Sequence, residues 1–248
     1  MQNRYVADVG DYVKFAILRK LAIGRRLGVV WWLFPNEDHN ADGSHRKYLD
    51  RPTEWRHFDW DLFDALLKIQ EEKVKDVRAI EVAGILPDAA YASEVVPGKG
   101  LHFSARPGER RSWIERAKAK VRDCNLVFLD PDNGIAPQTL SLTEQRAGKS
   151  VTIEEIKSLQ KTGRAMVVYH HQTRFKGGHE AELHDLYARL RKGGLQVSGA
   201  LRAKPWSPRA FFIINGDEEL AGRAEGIASA WGNQISWHPE AELLRGSE

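Results

Sequence analysis

VFLDPDNGI, residues 127–135, places three apolar residues directly before the polar run Asp-Pro-Asp-Asn-Gly. The apolar half predicts a buried strand. Pro131 cannot donate to a sheet ladder and Gly134 favours a turn, so the strand is expected to end where the polar residues begin. A strand of this kind delivers two carboxylates and an amide to its own C-terminal end.

Strand-like and helix-like segments alternate along the rest of the chain. Strands are predicted at 28–34, 77–86, 101–105, 125–130, 164–171, 195–204 and 209–216. Helices are predicted at 11–26, 59–74, 108–123, 152–163, 177–194 and 217–232. This alternation predicts an α/β fold with a mainly parallel, doubly wound, Rossmann-like sheet, and the last two strands predict a late antiparallel hairpin. We expect one domain over residues 1–248.

Composition excludes several classes of protein. The single cysteine, Cys124, allows no internal disulfide and no cysteine-based zinc site, and it favours a reducing, cytoplasmic compartment. No signal peptide or membrane-spanning run is expected, so no membrane partner is predicted. A net charge of +3 permits nucleic-acid binding without arguing for it. Among the tryptophans, the pair at 31–32 and Trp206 are candidate stacking surfaces.

Ligands of open α/β sheets bind beyond the C-terminal ends of the strands, and this rule selects three polar segments. In the first, Asp130, Asp132 and Asn133 form either an ordinary turn or the wall of a ligand pocket. In the second, His170 and His171 end a buried strand, and alternation along the strand turns at most one of them toward that pocket.

The third segment is the polar loop after the first strand, and we expect residues 35–57 to be a functional loop insertion. It has no GxGxxG motif, so the usual dinucleotide cradle is absent. Glu81 lies in the next predicted strand region and is a candidate ligand of a ribose hydroxyl. At the start of the first helix, Asp8 and Asp11 are candidate N-caps or polar ligands of a bound group.

These segments together resemble a branch of the class I S-adenosylmethionine (SAM)-dependent methyltransferases. The nearest likeness is the J-type large-subunit ribosomal-RNA adenine-N6 methyltransferase. Its N-terminal pattern, roughly AGNHADVLKH, is similar to VADVGDYVKF at 6–15, and its DPPY motif is similar to DPDNG. The resemblance implies a late hairpin, here 195–216, and gives Asp130 the role of accepting from the target amino group. Asp132 and Asn133 replace the second Pro and the Tyr of that motif, so its stacking aromatic is missing.

Three hypotheses follow. The first is a SAM-binding methyltransferase-fold enzyme that acts on nucleic acid, with Asp130 and Asn133 positioning the acceptor. The second is a metal-dependent nuclease or phosphoesterase, in which Asp130 and Asp132 hold Mg²⁺ and a histidine activates water. The third is a non-catalytic binding module with degenerate pockets.

The candidate residues fall into three sets under the first hypothesis. The reaction centre is assigned to Asp130, Asp132, Asn133 and His170. Cofactor contacts are assigned to Tyr5, Asp11, Lys14, Asn36, Asp42, Ser44 and Glu81. Substrate contacts, chiefly to phosphates, are assigned to Arg46, Lys47, His171, Arg174 and Lys176. Metal ligands are expected only under the second hypothesis.

Overall fold

A computed structural model describes residues 1–37 and 45–245. Helices and strands alternate through most of it. The helices are α1 (Val9–Leu21), α2 (Pro52–Trp55), α3 (Trp60–Glu71), α4 (Val77–Val82), α5 (Arg106–Lys120), α6 (Ile153–Ser158), α7 (Gly178–Lys192), α8 (Glu218–Trp231) and α9 (Glu240–Arg245). The strands are β1 (Leu27–Val30), β2 (Ala90–Ala92), β3 (Leu126–Leu129), β4 (Gly134–Ile135), β5 (Ser150–Val151), β6 (Ala165–His171), β7 (Val197–Ala203), β8 (Arg209–Ile214) and β9 (Ile235–Pro239).

Seven strands form the main sheet in the order β2-β1-β3-β6-β8-β7-β9, and β4 pairs with β5 in a small second sheet. The neighbours β2, β1, β3 and β6 are parallel. Strand β8 runs antiparallel to both β6 and β7, and β9 is antiparallel to β7. The predicted α/β fold, its parallel strands and its late hairpin are confirmed.

Alternate residues of the central strands enter two separate apolar cores. In β3, Leu126 and Phe128 pack in one core with α1, α3 and α8, whereas Val127 and Leu129 pack in the other with α5, α6 and α7. All four side chains are buried, as expected of a strand covered on both faces. The helices therefore cover both faces of the sheet.

Two predicted strands are wrong. Residues 77–82 of the predicted strand 77–86 form α4, because Val77 and Ile80 are buried three residues apart and Asp76 caps the helix. Residues 101–105 belong to no strand, and Phe103 there is 57% exposed. The second strand of the sheet is instead β2, in a segment that the sequence pattern did not mark. The VFL segment is consequently the third strand along the chain and not the fourth.

Local signals at helix ends mostly hold. Asp8, and not Asp11, is the N-cap of α1, because its side chain accepts from the backbone amide of Asp11. Thr152 and Glu155 form the predicted capping box of α6. Within the predicted polar loop, residues 45–57 include buried Tyr48 and Trp55, so this part packs against the core.

None of the helices in the described residues is both long and apolar enough to cross a bilayer.

Candidate functional site

A cavity of about 370 Å³ opens at the carboxyl edge of the parallel strands. Strand β2 lies next to β1 on one side, and the chain then returns to place β3 next to β1 on its other side. The strand order reverses at this point, and ligands of open α/β sheets bind at such reversals. Seven predicted site residues line the cavity: Tyr5, Asp11, Lys14, Asp130, Asp132, Asn133 and His171.

The DPDNG segment turns out of the sheet immediately after β3. Asp130 is still aligned with the sheet, since its amide donates to the carbonyl of Val30 at 3.0 Å. The amide of Asn133 then donates to the carbonyl of Lys149, and Gly134 adopts a φ of +95° as it enters β4. This turn leaves Asp130 at the lip of the cavity, as the sequence predicted.

Asp130 belongs to a buried group of three charges. Lys14 Nζ lies 2.8 Å from Asp130 Oδ2 and 3.0 Å from Asp11 Oδ1, and all three side chains are almost inaccessible to solvent. The other carboxylate oxygen of Asp130 accepts no hydrogen bond from the described residues. One oxygen is therefore fixed by Lys14, while the other remains available to a ligand in the cavity.

Burial shifts the protonation of this group. It raises the pKa of Asp11 to about 7, with Lys14 opposing the shift and Asp8 and Asp130 adding to it. Burial alone would lower the pKa of Lys14, but the carboxylates of Asp11 and Asp130 outweigh it and raise that pKa above its usual value. Lys14 therefore stays charged at neutral pH, whereas Asp11 titrates near it.

The remaining polar walls carry both signs of charge. Asp132 Oδ2 accepts from Gln2 Nε2 at 2.6 Å, and Lys149 pairs with Glu37. Arg209 is buried, and its Nη1 donates to the carbonyls of Pro205 and Ser207. Its Nε and Nη2 donate to no described group, and they lie beside Gly10. The cavity thus offers an unused guanidinium fork as well as carboxylates.

The two adjacent histidines have different environments. His171 lines the cavity, and burial lowers its pKa, with Arg209 and His170 adding to the effect. His170 does not line the cavity: its Nδ1 accepts from the amide of Ile135 at 3.0 Å, and its Nε2 lies 3.4 Å from Glu182 Oε1. His170 was placed at the reaction centre by the sequence prediction, but alternation along β6 turns it to the other face of the sheet.

Other predicted ligands also lie outside the cavity. Glu81 is on α4, where it accepts from Trp31 Nε1 and Ser93 Oγ. Asn36 Oδ1 accepts from the amide of Arg4. Arg46 donates to backbone carbonyls, while Lys47, Arg174 and Lys176 are exposed outside the cavity lining. Asp42 and Ser44 lie outside the described residues.

Sequence reasoning missed several residues that line the cavity. Glu37 and His45 lie in a segment already singled out as polar, and Tyr169 directly precedes the two histidines. Lys149 and Arg209 are further lining residues. No local pattern marks Arg209, which reaches the cavity only because β8 pairs with β6.

In the described ranges, no group of three or more His, Cys, Asp or Glu side chains is arranged to hold a metal ion.

Scans against protein-family models and against curated proteins gave no match for this chain.

Proposed function

We propose that the protein is a SAM-dependent methyltransferase that methylates an amino group in nucleic acid. The observation that supports this most directly is the carboxylate of Asp130 at the end of β3, with one oxygen held by Lys14 and the other available to the cavity. A carboxylate oxygen held in this way can accept from the N–H of an acceptor and orient its nitrogen lone pair. Methyl transfer depends mainly on such positioning.

The lining of the cavity fits SAM chemically. SAM carries a carboxylate, an ammonium group and a sulfonium group, so it needs partners of both signs. The unused fork of Arg209 suits a carboxylate, and Asp132 and Glu37 suit the positive groups. A volume of about 370 Å³ lies in the range of small-ligand pockets, about 300–1,000 Å³.

SAM, when bound, supplies an electrophilic methyl group. The chain's own residues then hold and orient the acceptor. Asp130 accepts a hydrogen bond from one of its N–H groups, and the exposed side-chain amide of Asn133 supplies a second polar contact. The acceptor nitrogen loses a proton as it gains the methyl group. His171 lines the same cavity, and burial lowers its pKa so that the ring is neutral at pH 7 and a ring nitrogen can receive that proton.

Calorimetry of the full chain with SAM tests the cofactor, with ATP as the matched ligand that is anionic and not zwitterionic. We expect saturable binding of SAM and a rise in melting temperature, with neither effect from ATP. A folded chain that gives no heat and no thermal shift with SAM would exclude the proposal.

The acceptor role has its own test. Asp130→Asn should keep SAM binding within a few-fold and lower methyl transfer to RNA by about 100-fold, the usual cost of losing one electrostatic contact to the reacting group. Equal rates in the variant and the parent chain would show that Asp130 does not orient the acceptor.

A Mg²⁺-dependent phosphoesterase is the second candidate. Asp130 and Asp132 line the same cavity, and Mg²⁺ needs only one or two protein carboxylates because it keeps several waters. This reading predicts stabilisation by Mg²⁺ that is lost in Asp132→Ala. A thermal melt with and without Mg²⁺ distinguishes it from the first proposal.

A further inference from the structure

We propose that the indole of Trp206 is the stacking surface for an unpaired nucleobase delivered to the cavity. The inference rests on the proposed function and specifies its substrate class as single-stranded nucleic acid. The DPDNG segment contains no aromatic side chain, so a stacking contact would come from elsewhere around the cavity.

Trp206 stands at the rim of the cavity. It lies in the turn between β7 and β8, at the same edge of the sheet as Asp130, because β7 runs parallel to β6. The next residue, Ser207, lines the cavity, and so does His45, whose ring centroid is 6.5 Å from that of Trp206. Trp206 is 45% exposed beside the opening.

The turn holds this side chain in a costly backbone conformation. Trp206 has a φ of +58°, in the left-handed region that a bulky residue rarely adopts. Arg209 Nη1 fixes the turn by donating to the carbonyls on both sides, Pro205 at 2.9 Å and Ser207 at 2.7 Å. Trp55 supports the ring from beneath, with centroids 5.4 Å apart. Such strain persists where the surrounding structure enforces it, and it concentrates at ligand sites.

Exposed cations occur in the segments that leave the sheet at this edge and in the segment that contains His45. Lys204 follows β7, Arg174 and Lys176 follow β6, and Lys47 precedes α2. All four are exposed, and none forms an ion pair with a described carboxylate. An aromatic platform flanked by cations suits a base with its phosphate backbone, the combination used for single strands. A paired base cannot reach Asp130 without leaving its duplex.

The test measures fluorescence anisotropy of a labelled adenine-rich RNA oligonucleotide of ten nucleotides with the full chain. Trp206→Ala should weaken binding by about 5-fold to 100-fold, as expected for one lost base–aromatic stack, and Trp206→Phe should restore it to within about 3-fold. Trp60→Ala is the matched control, because Trp60 is also exposed, at 59%, but packs on Arg56 and makes no ring contact with the lining residue His45. It should bind like the parent chain.

A second variant separates the ring from the fold. Trp206→Gly loses the ring but relieves the positive φ, so it should be more stable than Trp206→Ala and bind the oligonucleotide equally weakly. The inference is overturned if both variants bind the oligonucleotide as the parent does, or if the parent chain does not bind it. It is also overturned if Trp206→Ala weakens SAM binding by the same factor, because the ring would then serve the cofactor. SAM calorimetry on the parent chain decides the proposed function separately.

Discussion

Two clusters of buried charged residues contact the segment after β3, one on each face of the sheet. On the α1 face, Lys14 holds Asp130 and leaves one of its oxygens available. On the α7 face, Glu182 accepts from the amide and hydroxyl of Thr173 and lies near His170, whose other ring nitrogen accepts from the amide of Ile135. The second cluster uses its polar atoms internally, while the first presents one to a cavity. Buried charge alone therefore does not indicate a binding site. A hydrogen-bond acceptor that faces a cavity and has no partner is the more informative feature.

Removing Lys14 should have the largest effect on stability. Lys14→Met leaves the carboxylates of Asp11 and Asp130 buried without their cation, which costs about 3–5 kcal/mol. The loss should be greater at pH 8 than at pH 5, since the carboxyls can take up protons at the lower pH. Urea unfolding at both values measures it, with the exposed Lys68→Met as a control that leaves stability unchanged. A loss independent of pH would argue against a charge origin.

Gly134→Ala should have the next largest effect. The added Cβ would lie against His170, 2.5 Å from its Cα, and the residue would keep a φ of +95°. We expect a loss of about 2–4 kcal/mol in chemical unfolding. Gly163→Ala is the matched control: its φ is +74° but nothing lies within 4 Å of the new Cβ. It should lose only about 1 kcal/mol, the cost of the backbone conformation. Equal losses would show that the contact with His170 is unimportant.

The dependence of stability on pH should differ in sign between the two clusters. Asp11 has a folded pKa near 7, above its unfolded value, so between about pH 4 and pH 7 the folded state binds more protons and stability falls as pH rises. Burial would raise the pKa of Glu182, but hydrogen bonds from His170 and Thr173 lower it overall. The ionised Glu182 therefore contributes to stability above the ordinary pKa of a glutamate, and this contribution is lost as the pH falls through the lowered pKa of the folded state.

Unfolding of Asp11→Asn and Glu182→Gln at several pH values separates the two contributions. Asp11→Asn should remove the decline above about pH 4, and Glu182→Gln should remove part of the loss at acid pH. Parallel curves for both variants and the parent chain would contradict the assignment.

The sequence predicted correctly those features that depend on interactions between residues close together in the chain. The capping box at Thr152 and the turn at Gly134 depend on residues a few positions away, and both were found. The segment at Val77 was misread because a short apolar run satisfies either period, and the buried spacing is visible only once the core is known. Arg209 lies beside Gly10, and Trp206 packs on Trp55. Both contacts join residues far apart in the sequence, so no local pattern encodes them.

The position of β8 between β6 and β7 also sets the order in which the site can assemble. The parallel strands β1, β3 and β6 are synthesised before β8, which contains Arg209 and pairs with both β6 and β7. Arg209 then packs against Gly10 near the opposite end of the chain. Contacts so distant in sequence form slowly because a long loop must close first. The cavity therefore depends on residues from both ends of the chain, and it is complete only after β8 has been synthesised.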